Sequence, residues 1–158
     1  MDKKKLARLL AIIGGALMVV VIVLWFIPTM TYTYTDKAAG QVTTTISPMG
    51  YFAEGNATYG TFRKAVMDAR DPDYNTNKDM YWLAFGTLFA VIGFILALVK
   101  GHKLAPKVIC AIFAVFILCG VIFSPALHVS SIWALYLIVA LLAAIASVGA
   151  VVVDYISD

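Results

Sequence analysis

Charged residues are scarce in this chain, and they are absent from the middle of its longest apolar stretches. Asp, Glu, Lys and Arg make up 13% of the 158 residues, whereas hydrophobic residues make up 62%. Soluble domains are roughly 45–50% apolar, and a short chain has too much surface per volume to bury a larger apolar share. The composition therefore excludes an ordinary soluble globular fold.

Cysteine and the known catalytic motifs are also lacking. The two cysteines, Cys110 and Cys119, lie in one apolar stretch, where nine helical residues separate them by about 13 Å. A disulfide needs Cα atoms within about 7 Å, so these two cannot pair with each other. The chain has no Cys-x-x-Cys, no His-Glu helix pair and no nucleophile elbow. We therefore expect a protein that is not an enzyme.

Four apolar stretches account for most of the sequence, at residues 9–27, 80–99, 108–125 and 132–153. A hydrocarbon core about 30 Å thick needs roughly 20 helical residues. The pattern predicts an all-α membrane protein, a single domain over residues 1–158 in which four transmembrane helices form a bundle. We expect it in the cell membrane as a multi-pass protein.

The basic residues predict the orientation of this bundle. They cluster before the first span and in the short link between the second and third spans, and short loops rich in Lys and Arg stay cytoplasmic. Both termini are therefore predicted to be cytoplasmic. The polar segment 28–79 and the link after the third span then face outward. Tryptophan favours the half-wet headgroup level, and all three tryptophans fall at the outer end of this topology: Trp25, Trp82 and Trp133.

The polar segment 28–79 predicts a small extracellular loop subdomain with a β-hairpin. Thr and Tyr alternate from residue 29 to residue 35, and a second alternating run covers residues 41–47. A link containing Gly40 separates the two runs, as in a hairpin. An isolated hairpin is marginally stable in water. We therefore expect it to pack on the rest of the loop, on the helix ends or on a partner.

Oxygen-bearing side chains recur at every second position just before the second span. This spacing is typical of calcium loops, and it predicts a weak extracellular calcium site. The alternative is a hydrophilic loop that caps the second span; no other cofactor is expected. The candidate ligands are Asp71, Asp73, Asn75, Asn77 and Asp79.

Small residues form helical stripes in two of the spans. Such residues let helix backbones approach closely, which is how helices associate in lipid. The stripes predict helix packing inside the bundle or on another membrane protein. Their members are Gly86, Ala90, Gly93 and Ala97 in the second span, and Ala143, Ser147 and Ala150 in the fourth.

The layout of a strand-forming first outer loop, a short inner link and a short second outer loop resembles that of the claudin-like tetraspan proteins. The Trp–Gly-Leu-Trp signature and the cysteine pair of that family are missing from residues 28–79, so the resemblance implies a layout and no activity.

We expect a non-enzymatic membrane protein that acts through interaction, as an accessory or assembly subunit presenting an extracytoplasmic cap. Its predicted partners are the lipid bilayer and another membrane protein or further copies of itself, with no nucleic acid. The first alternative is a component of an oligomeric small-solute or ion transporter or channel, because a close-packed four-helix bundle leaves no lumen of its own. The second is an enzyme acting at the interface through Glu54, Asp68 or Arg70.

Overall fold

The computed structural model describes residues 2–36, 40–50, 76–124 and 127–157. In these residues four long helices account for most of the chain. They are α1 (Lys3–Leu24), α2 (Thr76–Lys100), α3 (Leu104–Phe123) and α4 (Trp133–Ile156). Each is long and apolar enough to cross a membrane, which confirms the prediction of a multi-pass helical membrane protein.

Each helix packs antiparallel against its neighbours in the chain, and α4 closes the bundle against α1. Trp25 lies over Gly86 and Met18 over Gly93, so α1 and α2 run in opposite directions. The starts of α1 and α3 and the ends of α2 and α4 therefore share one end of the bundle, which we call the basic end. We call the other end, from which the strands emerge, the hairpin end.

The third helix is shifted towards the N-terminus from its predicted span, 108–125. It ends at Phe123 because Ser124, with a backbone ψ of 111°, is extended. The residue before a proline is disfavoured in helical geometry, and Pro125 follows. The helix instead begins at Leu104 and accommodates Pro106 in its first turn, where a missing N–H costs no helical hydrogen bond. The helix thus covers residues 104–123 where the predicted span is 108–125, and Lys107 lies inside the helix.

Two antiparallel strands follow α1. They are β1 (Met30–Asp36) and β2 (Gly40–Ile46), paired from Met30 opposite Ile46 to Asp36 opposite Gly40. Gly40 has a φ of +76°, a left-handed conformation that glycine adopts without steric cost. The wider prediction of a folded domain over residues 28–79 stays a prediction, because residues 51–75 lie outside the described part of the chain.

The interior changes character along the bundle. Near the hairpin end it holds large side chains such as Met18, Trp25 and Tyr136, all fully buried. Near the basic end it is built from small ones: Ala7, Ala11, Ala97, Cys110 and Ala150. Because small side chains let backbones approach, the helices can pack closely there.

Trp25 departs from the expectation for an interfacial tryptophan. It lies at the hairpin end, but its side chain is 0% exposed and packs over Gly86 in the bundle interior. Its indole Nε1 has no hydrogen-bond partner among the described residues. The prediction of a half-wet ring at the headgroup level was therefore wrong for this residue.

Candidate functional site

Three hydroxyl groups meet where the first strand leaves the bundle. The Thr29 Oγ1 lies 2.6 Å from the Ser130 Oγ and 3.0 Å from the Tyr136 hydroxyl, and Ser130 and Tyr136 are also 3.0 Å apart. We call these three residues the hydroxyl cluster. Each hydroxyl can donate one hydrogen bond and accept another, so a closed set of three satisfies every donor. Tyr136 is fully buried, and these hydrogen bonds avoid the free-energy cost of burying its hydroxyl group without a partner.

Backbone contacts strengthen the same junction. The Ser131 N–H donates to the Thr29 carbonyl oxygen at 2.9 Å, and Met30 forms an isolated antiparallel bridge with Ser130. The link between α3 and α4 therefore pairs with the start of β1. Just after β2, the Met49 N–H donates to the Trp25 carbonyl oxygen at the end of α1, at 3.0 Å. The hairpin is thus attached to the bundle at both of its ends.

The α3–α4 link is itself held in place by side chains that bond to the last turn of α3. The last carbonyls of a helix have no partner within the helix. The Trp133 indole N–H donates to the Val121 carbonyl oxygen at 2.9 Å, and the His128 Nε2 lies 2.7 Å from the carbonyl oxygen of Ile122. The two aromatic rings also lie against each other, with centroids 4.7 Å apart. These contacts hold His128 and Trp133 in place, and these two residues flank the serines that pair with the start of β1.

A buried ion pair lies at the opposite end of the bundle. The Lys107 Nζ is 3.3 Å from the Asp154 Oδ2, and the two side chains are 1% and 10% exposed. The Lys107 Nζ also donates to the Lys103 carbonyl oxygen at 3.4 Å. Among the described residues these are the buried charged side chains. Their mutual attraction offsets part of the cost of removing both from water.

The sequence alone does not predict this pair. Lys107 belongs to the basic link between the second and third predicted spans, and Asp154 follows the end of the fourth predicted span, 132–153. Because α3 begins at Leu104, Lys107 falls on the face that α3 turns towards α4. The pair joins residues 47 positions apart, and no local pattern in the sequence signals such a contact.

The residues of the two small-residue stripes are buried between helices. Ala90, Ala97, Ala143 and Ala150 are 0% exposed and Ser147 is 1% exposed. Gly86 and Gly93 are also buried, facing α1. In the described residues both stripes therefore lie inside one chain, which leaves their use as a surface for another protein without support.

Intramembrane polar side chains mostly bond to backbone. The Thr87 hydroxyl donates to the Leu83 carbonyl oxygen at 2.8 Å, and the Cys110 thiol donates to the Gly93 carbonyl oxygen at 3.1 Å. Ser147, which faces Gly14, has no bonded partner for its Oγ within the described part of the chain. These contacts are typical of helix packing and join none of these groups to an acid or base.

The calcium hypothesis falls mainly on residues outside the described ranges. Asp71, Asp73 and Asn75 lie outside them, as do Glu54, Asp68 and Arg70, while Asn77 and Asp79 belong to the first turn of α2. Within the described ranges, no group of three or more His, Cys, Asp or Glu could hold a metal. The calcium site stays a prediction.

No family model, no curated protein and no solved structure matches this chain. The geometry of the chain itself therefore carries the functional argument.

The sequence does not predict the hydroxyl cluster. Thr29 is 101 residues from Ser130 and 107 residues from Tyr136 in the sequence. Each of the three taken alone is an ordinary polar residue near the end of a span. One signal was present: a Tyr placed one turn inside a span, three residues after a Trp, needs a partner for its hydroxyl.

Proposed function

We propose that this chain is a non-enzymatic protein of the cell membrane that acts by presenting its hairpin to another membrane protein or to a further copy of itself. Both termini lie in the cytoplasm, and the hairpin lies outside. The basic end supports this orientation, since Lys3, Lys4, Lys5 and Arg8 precede α1 and three lysines lie between positions 100 and 107.

The observation that carries the proposal is the attachment of the hairpin to the bundle. The hydroxyl cluster and the Ser131–Thr29 backbone bond hold the start of β1 against the α3–α4 link. A two-stranded hairpin alone is marginally stable, and fixing its root reduces the entropy that a partner would otherwise have to remove on binding. The arrangement thus suits a presented recognition element.

The bundle interior supports an interaction role over transport by a single chain. Its described residues pack large apolar side chains at one end and alanines at the other, with one ion pair near the basic end. Ion and proton pathways are marked by ionisable groups at depth, and the pair occupies a single level of the bundle. The transporter or channel alternative therefore requires several copies around a shared pore.

The test compares the purified native complex of the wild type with that of two variants. Thr29→Val keeps the shape of the side chain and removes the hydroxyl from the hydroxyl cluster. Ser157→Ala removes a hydroxyl that bonds to the Asp154 carbonyl oxygen at the basic end, away from the hairpin, and serves as the control. We expect co-purification of a membrane partner, or self-association, to fall with Thr29→Val and to persist with Ser157→Ala.

A wild-type chain that elutes from mild detergent alone, monomeric and folded would overturn the proposal. Flux of ions and small solutes in liposomes, measured on the same preparation, decides the alternative. Tags at the two termini that are reached from outside an intact cell would reverse the proposed orientation.

A further inference from the structure

An outward-facing groove runs between α3 and α4 in the half of the bundle nearest the basic end. Its volume is about 300 Å³ and its lining is aliphatic throughout. We call it the α3–α4 groove. It is lined by Val108, Ala111, Ile112, Val115, Val148 and Val151. Ile112 is 61% and Val148 is 43% exposed, so the groove opens away from the bundle.

The groove is long enough to hold about two thirds of an acyl chain that crosses one leaflet. From Val108 to Val115 it extends about 10 Å along the helix axis, against roughly 15 Å for one leaflet of hydrocarbon. It begins one turn inside the start of α3 and is closed on its inner side by the packed helices. A straight acyl chain that descends from the headgroup level would therefore enter it from the basic end.

The segment just before and at the start of α3 carries an excess of positive charge. Residues 100–107 contain three lysines and one histidine and no acidic residue. Lys107 is neutralised by Asp154, whereas Lys100, His102 and Lys103 are exposed. Lys103 is about 7 Å of helix rise from Val108, which is the level expected for a lipid phosphate above an acyl chain. The groove thus begins about one and a half turns from a basic segment, and its floor is apolar.

We propose that the α3–α4 groove binds an anionic phospholipid, with one acyl chain along Val108, Ile112 and Val148 and the phosphate held by Lys103 and Lys100. Basic residues next to transmembrane helices are worth about 1 kcal/mol each towards an anionic lipid surface. The apolar groove accommodates an acyl chain, whereas the lysines select an anionic headgroup. This site is independent of the hairpin and of the function proposed above.

The experiment titrates the full-length protein in detergent with dioleoyl phosphatidylglycerol or with dioleoyl phosphatidylcholine, and counts bound lipids by native mass spectrometry. We expect tighter binding of phosphatidylglycerol. Lys103→Gln should weaken it about fivefold, the equivalent of ~1 kcal/mol, and the preference should shrink at high salt. Lys5→Gln, an exposed lysine of the same end on α1, is the charge control and should change binding less.

Filling the groove separates a seated lipid from general attraction to a basic surface. Val148→Phe places a ring in the groove and should weaken phosphatidylglycerol binding roughly threefold, because many small packing contacts of the chain are lost. Val91→Phe is the matched control, since Val91 is 48% exposed on α2 and lies outside the groove. If Val148→Phe fails to fold, Val115→Phe tests the same floor from α3.

Three results would overturn the proposal. Equal affinity for the two lipids would mean that the lysines do not select the headgroup. Equal effects of the groove variant and Val91→Phe would mean that the chain does not lie in the groove. A dimer of the lipid-free protein that Val148→Phe disrupts would assign the groove to a second copy of this chain instead.

Discussion

The Lys107–Asp154 pair allows a quantitative prediction about the stability of the bundle. We expect Lys107→Met to destabilise the protein by about 3–5 kcal/mol, because it leaves the Asp154 carboxylate buried without a counter-charge. The attraction that is lost is large: at 3.3 Å and an effective dielectric constant of about 20 it is roughly 5 kcal/mol. No hydrogen bond to the Asp154 carboxylate other than that of Lys107 is present in the described residues.

A double variant that replaces both members of the pair tests the reasoning more directly than Lys107→Met alone. Lys107→Met with Asp154→Leu removes both charges and fills the space with apolar atoms of similar size. Replacing a buried pair in this way is often neutral or stabilising, so the double variant should lie within about 1–2 kcal/mol of the wild type. The coupling energy from the four proteins of the cycle then isolates the pair.

Reversible unfolding in mixed micelles, followed by far-UV circular dichroism as a denaturing detergent is added, measures all four free energies. Lys103→Met is the control, since this exposed lysine lies one turn before Lys107 and should change stability by no more than about 0.5 kcal/mol. The reasoning is refuted if Lys107→Met and Lys103→Met behave alike. It is also refuted if the double variant is as unstable as the single one.

Other contacts give predictions of the same kind. Gly14→Ala should lower the free energy of unfolding by about 1–3 kcal/mol, because its new methyl group would overlap the Ser147 Oγ. Gly149→Ala, whose methyl group would meet only a leucine side chain at 3.8 Å, should lower it less, and measured unfolding free energies compare the two. Tyr136→Phe should weaken the hairpin root by about 1 kcal/mol and speed protease cleavage within the hairpin, and an unchanged cleavage rate would contradict this. If residues 71–79 bind calcium, roughly millimolar calcium should slow cleavage there relative to chelator, and magnesium should not. Equal rates in calcium and chelator would remove the calcium site.

The helices were predictable because lipid acts on each span separately. A stretch of about 20 apolar residues must form a helix in hydrocarbon whatever its neighbours do. The spacing of Ala90, Gly93 and Ala97 also follows from local periodicity. Only the ends shifted, as at Phe123, where a following Ser-Pro pair stops the helix before the apolar run is over.

The contacts between distant segments could not be predicted in the same way. Lys107 and Asp154 meet only because α3 begins four residues before its apolar run and lies antiparallel to α4. Thr29 reaches Tyr136 only through the closure of the bundle by α1 against α4. Trp25 was placed by a general preference of its residue type, and the gap that Gly86 leaves in α2 accommodates its ring in the interior instead.

The hydroxyl cluster also has a consequence for biogenesis. Thr29 emerges from the ribosome 107 residues before Tyr136, so the root of the hairpin has no polar partner on α4 until the last helix has been inserted. The hydroxyl cluster is therefore completed only after α4 has been inserted. A nascent chain arrested before α4 would keep the Met49–Trp25 bond but lack the Tyr136 hydroxyl, so the attachment of the hairpin would be incomplete until the last helix is in place.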